Sequence, residues 1–167
     1  MSQKRVVNLT ELPIKASTHG NKFGAKAGCI GGVIGLKKLG GQYMVVPPGR
    51  SAFPSHAHFS NEELYFVIEG EGKYRLGDQT FSVKAGDLMA APAGGLETAH
   101  QLTNTGDKPL RYLVFSTRND PDVTLYANSG KFMVAAGIPE GGGMLSAEFQ
   151  FIGRKDSAVD YYDGEDE

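Results

Sequence analysis

Four side chains in this sequence have the types and the spacing of a metal centre: His56, His58, Glu63 and His100. His56 and His58 are two apart, so on an extended strand both project to one face. Glu63 follows at the head of the strongest strand signal in the chain. His100 sits on a later segment, which closure of a barrel can return to the same spot. Three imidazoles and a carboxylate suit iron, manganese, zinc, nickel or cobalt, whereas an all-oxygen site would suit magnesium or calcium. The expected cofactor is one divalent transition metal. Taken singly, each signal has a plainer reading: a hydrogen-bonded His-X-His pair, a strand-end charge at Glu63, a satisfied barrel histidine at His100.

Elements that could position these groups are legible in the punctuation of the chain. Its 167 residues include 23 glycines and 8 prolines without a collagen period, and these separate short apolar runs. That pattern belongs to an all-β chain with many tight turns. Strands are expected at 29–36, 42–46, 63–69, 73–76, 79–83, 88–91, 98–104 and 110–117. Leu64 to Ile68 is an unbroken apolar run, which implies burial on both faces. Gly77-Asp78 is a two-residue hairpin signal. Seven or eight strands between 29 and 117 suit a small barrel or jelly roll, which limits exposed edges by closing on itself. The division is an N-terminal arm over 1–28, a barrel over 29–118 and an extension over 119–167. In that extension 131–136 and 148–152 read as edge strands. The stretch from Asp156 to Glu167 has six acidic residues and no basic one, and reads as a solvated tail. Cys29, the single cysteine, reads as a small buried hydrophobe.

The order Gly49, His56, His58, Glu63, Gly70 resembles the first motif of the cupin superfamily: glycine, a short spacer, His-X-His, three or four residues, Glu, six residues, glycine. The spacer after Gly49 is one residue longer than usual, a change a loop absorbs at little cost. Glu63, rather than Glu62, satisfies both the gap from His58 and the gap to Gly70. Gly86, Pro92 and Gly94, with His100 and Asn104, resemble the second motif, although five residues rather than two separate Gly94 from His100. The extra length places a longer loop at the barrel mouth. The resemblance implies a double-stranded β-helix, with His56, His58, Glu63 and His100 as metal ligands. The segment from Pro92 to Asn104 and the stretch from Tyr126 to Lys131 further resemble single-domain bacterial cupins labelled as sugar-phosphate isomerases.

Four protein ligands leave one or two open positions on a five- or six-coordinate ion, as a catalytic site needs. The expected chemistry is metal-dependent turnover of a small oxygenated substrate such as a sugar or sugar phosphate. In an isomerase the cation would stabilise an enediolate while a nearby acid or base moves the proton. Tyr65 shares strand parity with Glu63 and is the candidate catalytic side chain. An iron-dependent dioxygenase and a non-catalytic small-molecule-binding cupin are the alternatives. The Thr/Gly/Lys pattern that precedes the histidine pair in cupin phosphoglucose isomerases is absent.

The net charge of −2 and the lack of a basic run argue against nucleic acid or an anionic membrane as partner. No apolar stretch has the length of a membrane span or a signal-peptide core. The expectation is a cytoplasmic protein. The arm and the sheet edges lead to an expected homodimer.

Overall fold

A computed structural model describes residues 5–165 of the chain. It contains thirteen strands: β1 (Ile14–His19), β2 (Phe23–Cys29), β3 (Leu39–Val46), β4 (His56–His58), β5 (Glu63–Glu69), β6 (Glu71–Leu76), β7 (Gln79–Lys84), β8 (Leu88–Ala91), β9 (His100–Asn104), β10 (Leu110–Thr117), β11 (Asp122–Tyr126), β12 (Lys131–Ala136) and β13 (Phe149–Arg154). They form two antiparallel sheets, one ordered β1-β2-β3-β10-β5-β8 and the other β13-β12-β11-β4-β9-β6-β7. The fold is all-β, a double-stranded β-helix, and eight of its strands fall within 29–117.

The two sheets face one another across a shared core. One contributes Met44, Val46, Tyr65, Val67, Met89, Leu110, Tyr112 and Val114, and the other Tyr74, Val83 and Leu102. Alternation explains this, because side chains of one parity on each strand point into the barrel. Val67 and Leu110 are fully buried, and each such side chain contributes about 1.5–3 kcal/mol relative to exposure. A second cluster lies on the outer face of β3 and β10. There Leu12 and the short helix α1 (Ile30–Ile34) cover Tyr43, Val45, Leu113 and Phe115.

Turns follow the expected glycines. Gly77 (φ +56°) closes the β6–β7 hairpin, where Leu76 pairs with Gln79. Gly70 (φ +88°) packs so closely that a Cβ there would lie 2.9 Å from the Pro109 carbonyl oxygen. Asn104 is wholly buried and ties three segments together. Its amide donates to the Val46 and Lys108 carbonyls, and its oxygen accepts from Gly106 N–H.

Several expectations are corrected. The segment 29–36 holds the helix α1, Ile30–Ile34, rather than a strand; Cys29 ends β2, and Gly35 in the left-handed conformation closes the helix. Gly31 and Gly32 allow it to lie against the Leu39 carbonyl and Gly141, where side chains would crowd. Cys29 is exposed rather than buried, and its sulfur accepts from Gly32 N–H at the start of α1. Glu63–Glu69 is buried on one face only: Tyr65 and Val67 point inward, while Leu64 and Ile68 remain exposed on the outer face. Strand β9 begins at His100, because Leu96–Thr98 forms a turn of 3-10 helix. Strand β12 is internal, paired with β11 and β13, so of the two expected edge strands β13 alone lies at a sheet edge.

The N-terminal segment forms a hairpin, β1 with β2, and β2 pairs with β3. His19 is exposed on β1. The tail beyond Asp156 is exposed as far as Glu165, and its last two acidic residues lie outside the described residues.

Candidate metal centre

Strand β4 is three residues long and carries His56 and His58 on one face, with Ala57 buried on the other. It is flanked by β9, where His56 pairs with His100, and by β11, where Thr124 pairs with His58. Glu63 opens β5 in the opposite sheet. The ligand atoms offered by His56, His58 and Glu63 all lie within 4.8 Å of one another. The His100 ring stands beside them, 4.5 Å from the His56 ring between centroids. Its Nε2 is 2.9 Å from Glu63 Oε2, so His100 enters the cluster through Glu63 rather than as a fourth member of that close set.

Each histidine is fixed through its Nδ1. That of His56 lies 2.9 Å from the Pro54 carbonyl oxygen. That of His58 lies 2.6 Å from Asp122 Oδ2, and that of His100 lies 3.2 Å from the Thr98 carbonyl oxygen. An oxygen acceptor at Nδ1 favours the tautomer whose Nε2 lone pair is free. Two such rings converge with one carboxylate, so the donor set fits a divalent transition ion.

The electrostatics agree with that donor chemistry. Burial pushes the His56 pKa down to about 4, and the neighbouring His100 ring adds to the effect, so His56 is neutral at pH 7. For Glu63, burial alone would raise the pKa. The His100 hydrogen bond and the His58 and His56 rings overcome it and hold the carboxyl at about 2. Glu63 is therefore an anion at physiological pH. At His58 burial acts downward, but the hydrogen bond to Asp122 and the charge of Glu63 outweigh it and raise the pKa.

Tyr65 points into the barrel, as its parity with Glu63 leads one to expect, and its hydroxyl donates to Glu63 Oε2 at 2.6 Å. Burial and the nearby Glu63 charge push its pKa well up, so it stays protonated. Glu62 is exposed, and its backbone N–H bonds to Thr117 Oγ1. The long loop before His100 rests on β4: Gly94 N–H donates to the His58 carbonyl, and Thr98 supplies the carbonyl that faces His100.

Asp122 and Thr124 escaped the sequence reading. They lie on β11, a strand that no local signal announced, 64 and 66 residues from the His58 they meet. Their alternate placement, Asp-X-Thr after a proline, was the one trace available.

Residues 42–116 match the family described as Cupin domain. The chain is 36% identical over 72 residues to an uncharacterised protein of Methanocaldococcus jannaschii, covering 43% of this chain and 54% of that one. Over 70 residues it is 33% identical to a Thermotoga maritima protein named Oxalate-binding protein, covering 42% and 54% respectively. The chain spans about half the length of the curated relatives it matches. A crystal structure from Acidithiobacillus ferrooxidans, described as that of a candidate sugar phosphate isomerase, superposes with a TM-score of 0.77. The identity is 20%, over 94% of this chain and 96% of that one, a likeness of fold.

Proposed function

We propose, from the match of residues 42–116 to the family described as Cupin domain, that the chain holds one divalent transition metal through His56, His58, Glu63 and His100. The metal serves chemistry on a small oxygenated substrate, of the kind a sugar or sugar-phosphate isomerase performs. The observation that carries this reading is the convergence of His56, His58 and Glu63 donor atoms within 4.8 Å. When bound, a divalent cation supplies Lewis acidity at a carbonyl or hydroxyl oxygen.

The chain's own residues do the rest. His56 presents a neutral nitrogen, His56 and His58 are both held from behind through Nδ1, and Glu63 adds one negative charge. Tyr65 is the proposed catalytic side chain. Held protonated, it acts as a hydrogen-bond donor beside the centre rather than as a base. The fold likeness to a protein described as a candidate sugar phosphate isomerase supports the substrate class. The same reading places the protein in the cytoplasm as a homodimer, a state favoured by β1, whose six residues are all exposed in the single chain.

A second reading, non-catalytic binding of a small oxygenated acid, is favoured by the relative named Oxalate-binding protein. One experiment separates the two. Protein purified without a metal-affinity tag is analysed for its elements, stripped with chelator and reloaded. It is then offered sugar phosphates, free sugars, oxidisable phenols and oxalate, with oxygen uptake recorded. About one transition metal per chain with sugar-phosphate turnover supports the isomerase. Oxygen consumption points to a dioxygenase, and saturable binding without turnover to the binding module. Failure of the stripped protein to rebind any metal overturns the proposal.

A further inference from the structure

We propose that Asp122, from the strand that follows the matched cupin segment, is the positioning residue for His58. It sets that ring's tautomer, and with it the affinity of the centre for a divalent cation. This rests on the metal-binding reading above. Asp122 is 1% exposed, yet it is a carboxylate. A buried carboxylate needs partners for both oxygens. Oδ2 lies 2.6 Å from His58 Nδ1, and Oδ1 accepts from Ser60 N–H at 3.1 Å.

Sheet register delivers this geometry. Strand β11 runs antiparallel to β4 with Thr124 opposite His58, so Asp122 lies diagonally across, on the same face as Thr124. Thr124 Oγ1 is 3.3 Å from the same ring nitrogen. A carboxylate can only accept, so the His58 proton is drawn to Nδ1 and the Nε2 lone pair is left facing His56 and Glu63. A carboxylate behind a ligating imidazole also raises its basicity toward a cation. His56 and His100 face backbone carbonyls instead. Among the three rings, then, His58 alone is backed by a full negative charge from a side chain.

Residue type matters in a way that packing does not. In Asp122→Asn the single remaining oxygen can serve Ser60 or His58 but not both. Turning the amide nitrogen toward His58 would force the proton to Nε2. Shape is preserved, and only the polarity behind the ring changes.

The test reads the tautomer first. Long-range 15N–1H correlation spectra of chelator-treated protein at pH 8.5 should show His58 with its proton on Nδ1. An Nε2 proton in the unsubstituted protein overturns the proposal whatever the variants do. Zinc and cobalt affinities are then measured by chelator competition for the wild type, Asp122→Asn and Asp122→Ala, with melting curves alongside. The expected result is a loss of about 10–100-fold in affinity for both variants, a His58 tautomer shift in Asp122→Asn, and a changed visible spectrum of bound cobalt. Affinities within about twofold of wild type in folded variants would refute the positioning role. Absence of metal binding by the wild type would instead remove the metal-centre reading itself, which keeps the two failures apart.

Discussion

Nε2 of His100 lies 2.9 Å from Oε2 of Glu63, so two of the proposed ligands are bonded to each other through atoms that would face a cation. The other ring nitrogen of His100 faces the Thr98 carbonyl oxygen at 3.2 Å. A ring bearing one N–H satisfies only one of these two acceptors at a time. With Nε2 committed to a cation, the Nδ1 proton would be left for Thr98. Glu63 would keep its hydrogen bond from Tyr65. The pair is thus a contact that metal binding exchanges, and His100 is the ligand with the largest adjustment to make.

That asymmetry grades the ligand substitutions. His56→Ala, His58→Ala and Glu63→Gln should each weaken zinc or cobalt binding by more than the roughly 10–100-fold that partners behind a ligand command. His100→Ala should fall within that range. Isothermal titration of chelator-treated protein gives the comparison. An unchanged affinity in both His56→Ala and His100→Ala would remove the site.

Tyr65 can be divided into a packing part and a polar part. Tyr65→Phe keeps the ring among Tyr74, Tyr112 and His100 and removes only the donor to Glu63. A hydrogen bond to a charged group is worth about 1.5–3 kcal/mol. Tyr65→Ala should cost about 3–5 kcal/mol by opening a cavity. If Tyr65 acts on substrate, Tyr65→Phe lowers kcat while leaving metal content unchanged. A variant that is less stable but turns over normally would confine Tyr65 to holding Glu63.

Acid should destabilise the metal-free protein in two steps. His56 has a folded pKa of about 4 against an ordinary 6.5, so between these values the unfolded chain binds the extra proton. Stability therefore falls as pH drops from 6.5 to 4, by at most about 3 kcal/mol. Glu63, held at about 2 against 4.5, contributes stability above 4.5 that is lost as pH falls toward 2. His58 acts with the opposite sign: its raised pKa adds stability at low pH that disappears on the alkaline side. Melting temperature against pH, with chelator present, should show the first loss flattened in His56→Gln. An identical slope in that variant would contradict the assignment.

The parts of this site that could be read from sequence were those encoded over short distances. His56 and His58 announce a strand because two residues span one period of it, and Glu63 opens a run that pairs on both sides with β10 and β8. Asp122 carries no such mark, since its contact with His58 depends on which strands the barrel closure places side by side. The N-terminal hairpin was hidden for a related reason: β1 has all six residues exposed and therefore no apolar alternation to detect. At 29–36 the apolar residues were real, but five helical residues are too few to show a 3.6-residue period. The exposed Leu64 and Ile68 misled in turn, because an unbroken apolar run reports composition and not which face is covered.

The loop before His100 offers a test of whether scaffold geometry reaches the centre. Gly77 and Gly86 both have positive φ, +56° and +94°, so alanine at either position carries a similar backbone cost of about 1–2 kcal/mol. Their surroundings differ. A Cβ on Gly86 meets nothing within 4 Å, whereas one on Gly77 would lie 2.5 Å from the Glu97 carbonyl oxygen. Gly77 N–H also donates to the Ala99 carbonyl, next to His100. Gly77→Ala must therefore push the Glu97–Ala99 backbone away and take with it the Thr98 carbonyl that orients the ring. The expected outcome is a larger loss of melting temperature in Gly77→Ala than in Gly86→Ala, a metal affinity about tenfold weaker in Gly77→Ala, and one within about twofold of wild type in Gly86→Ala. Equal affinities in the two would show that His100 is held independently of its loop.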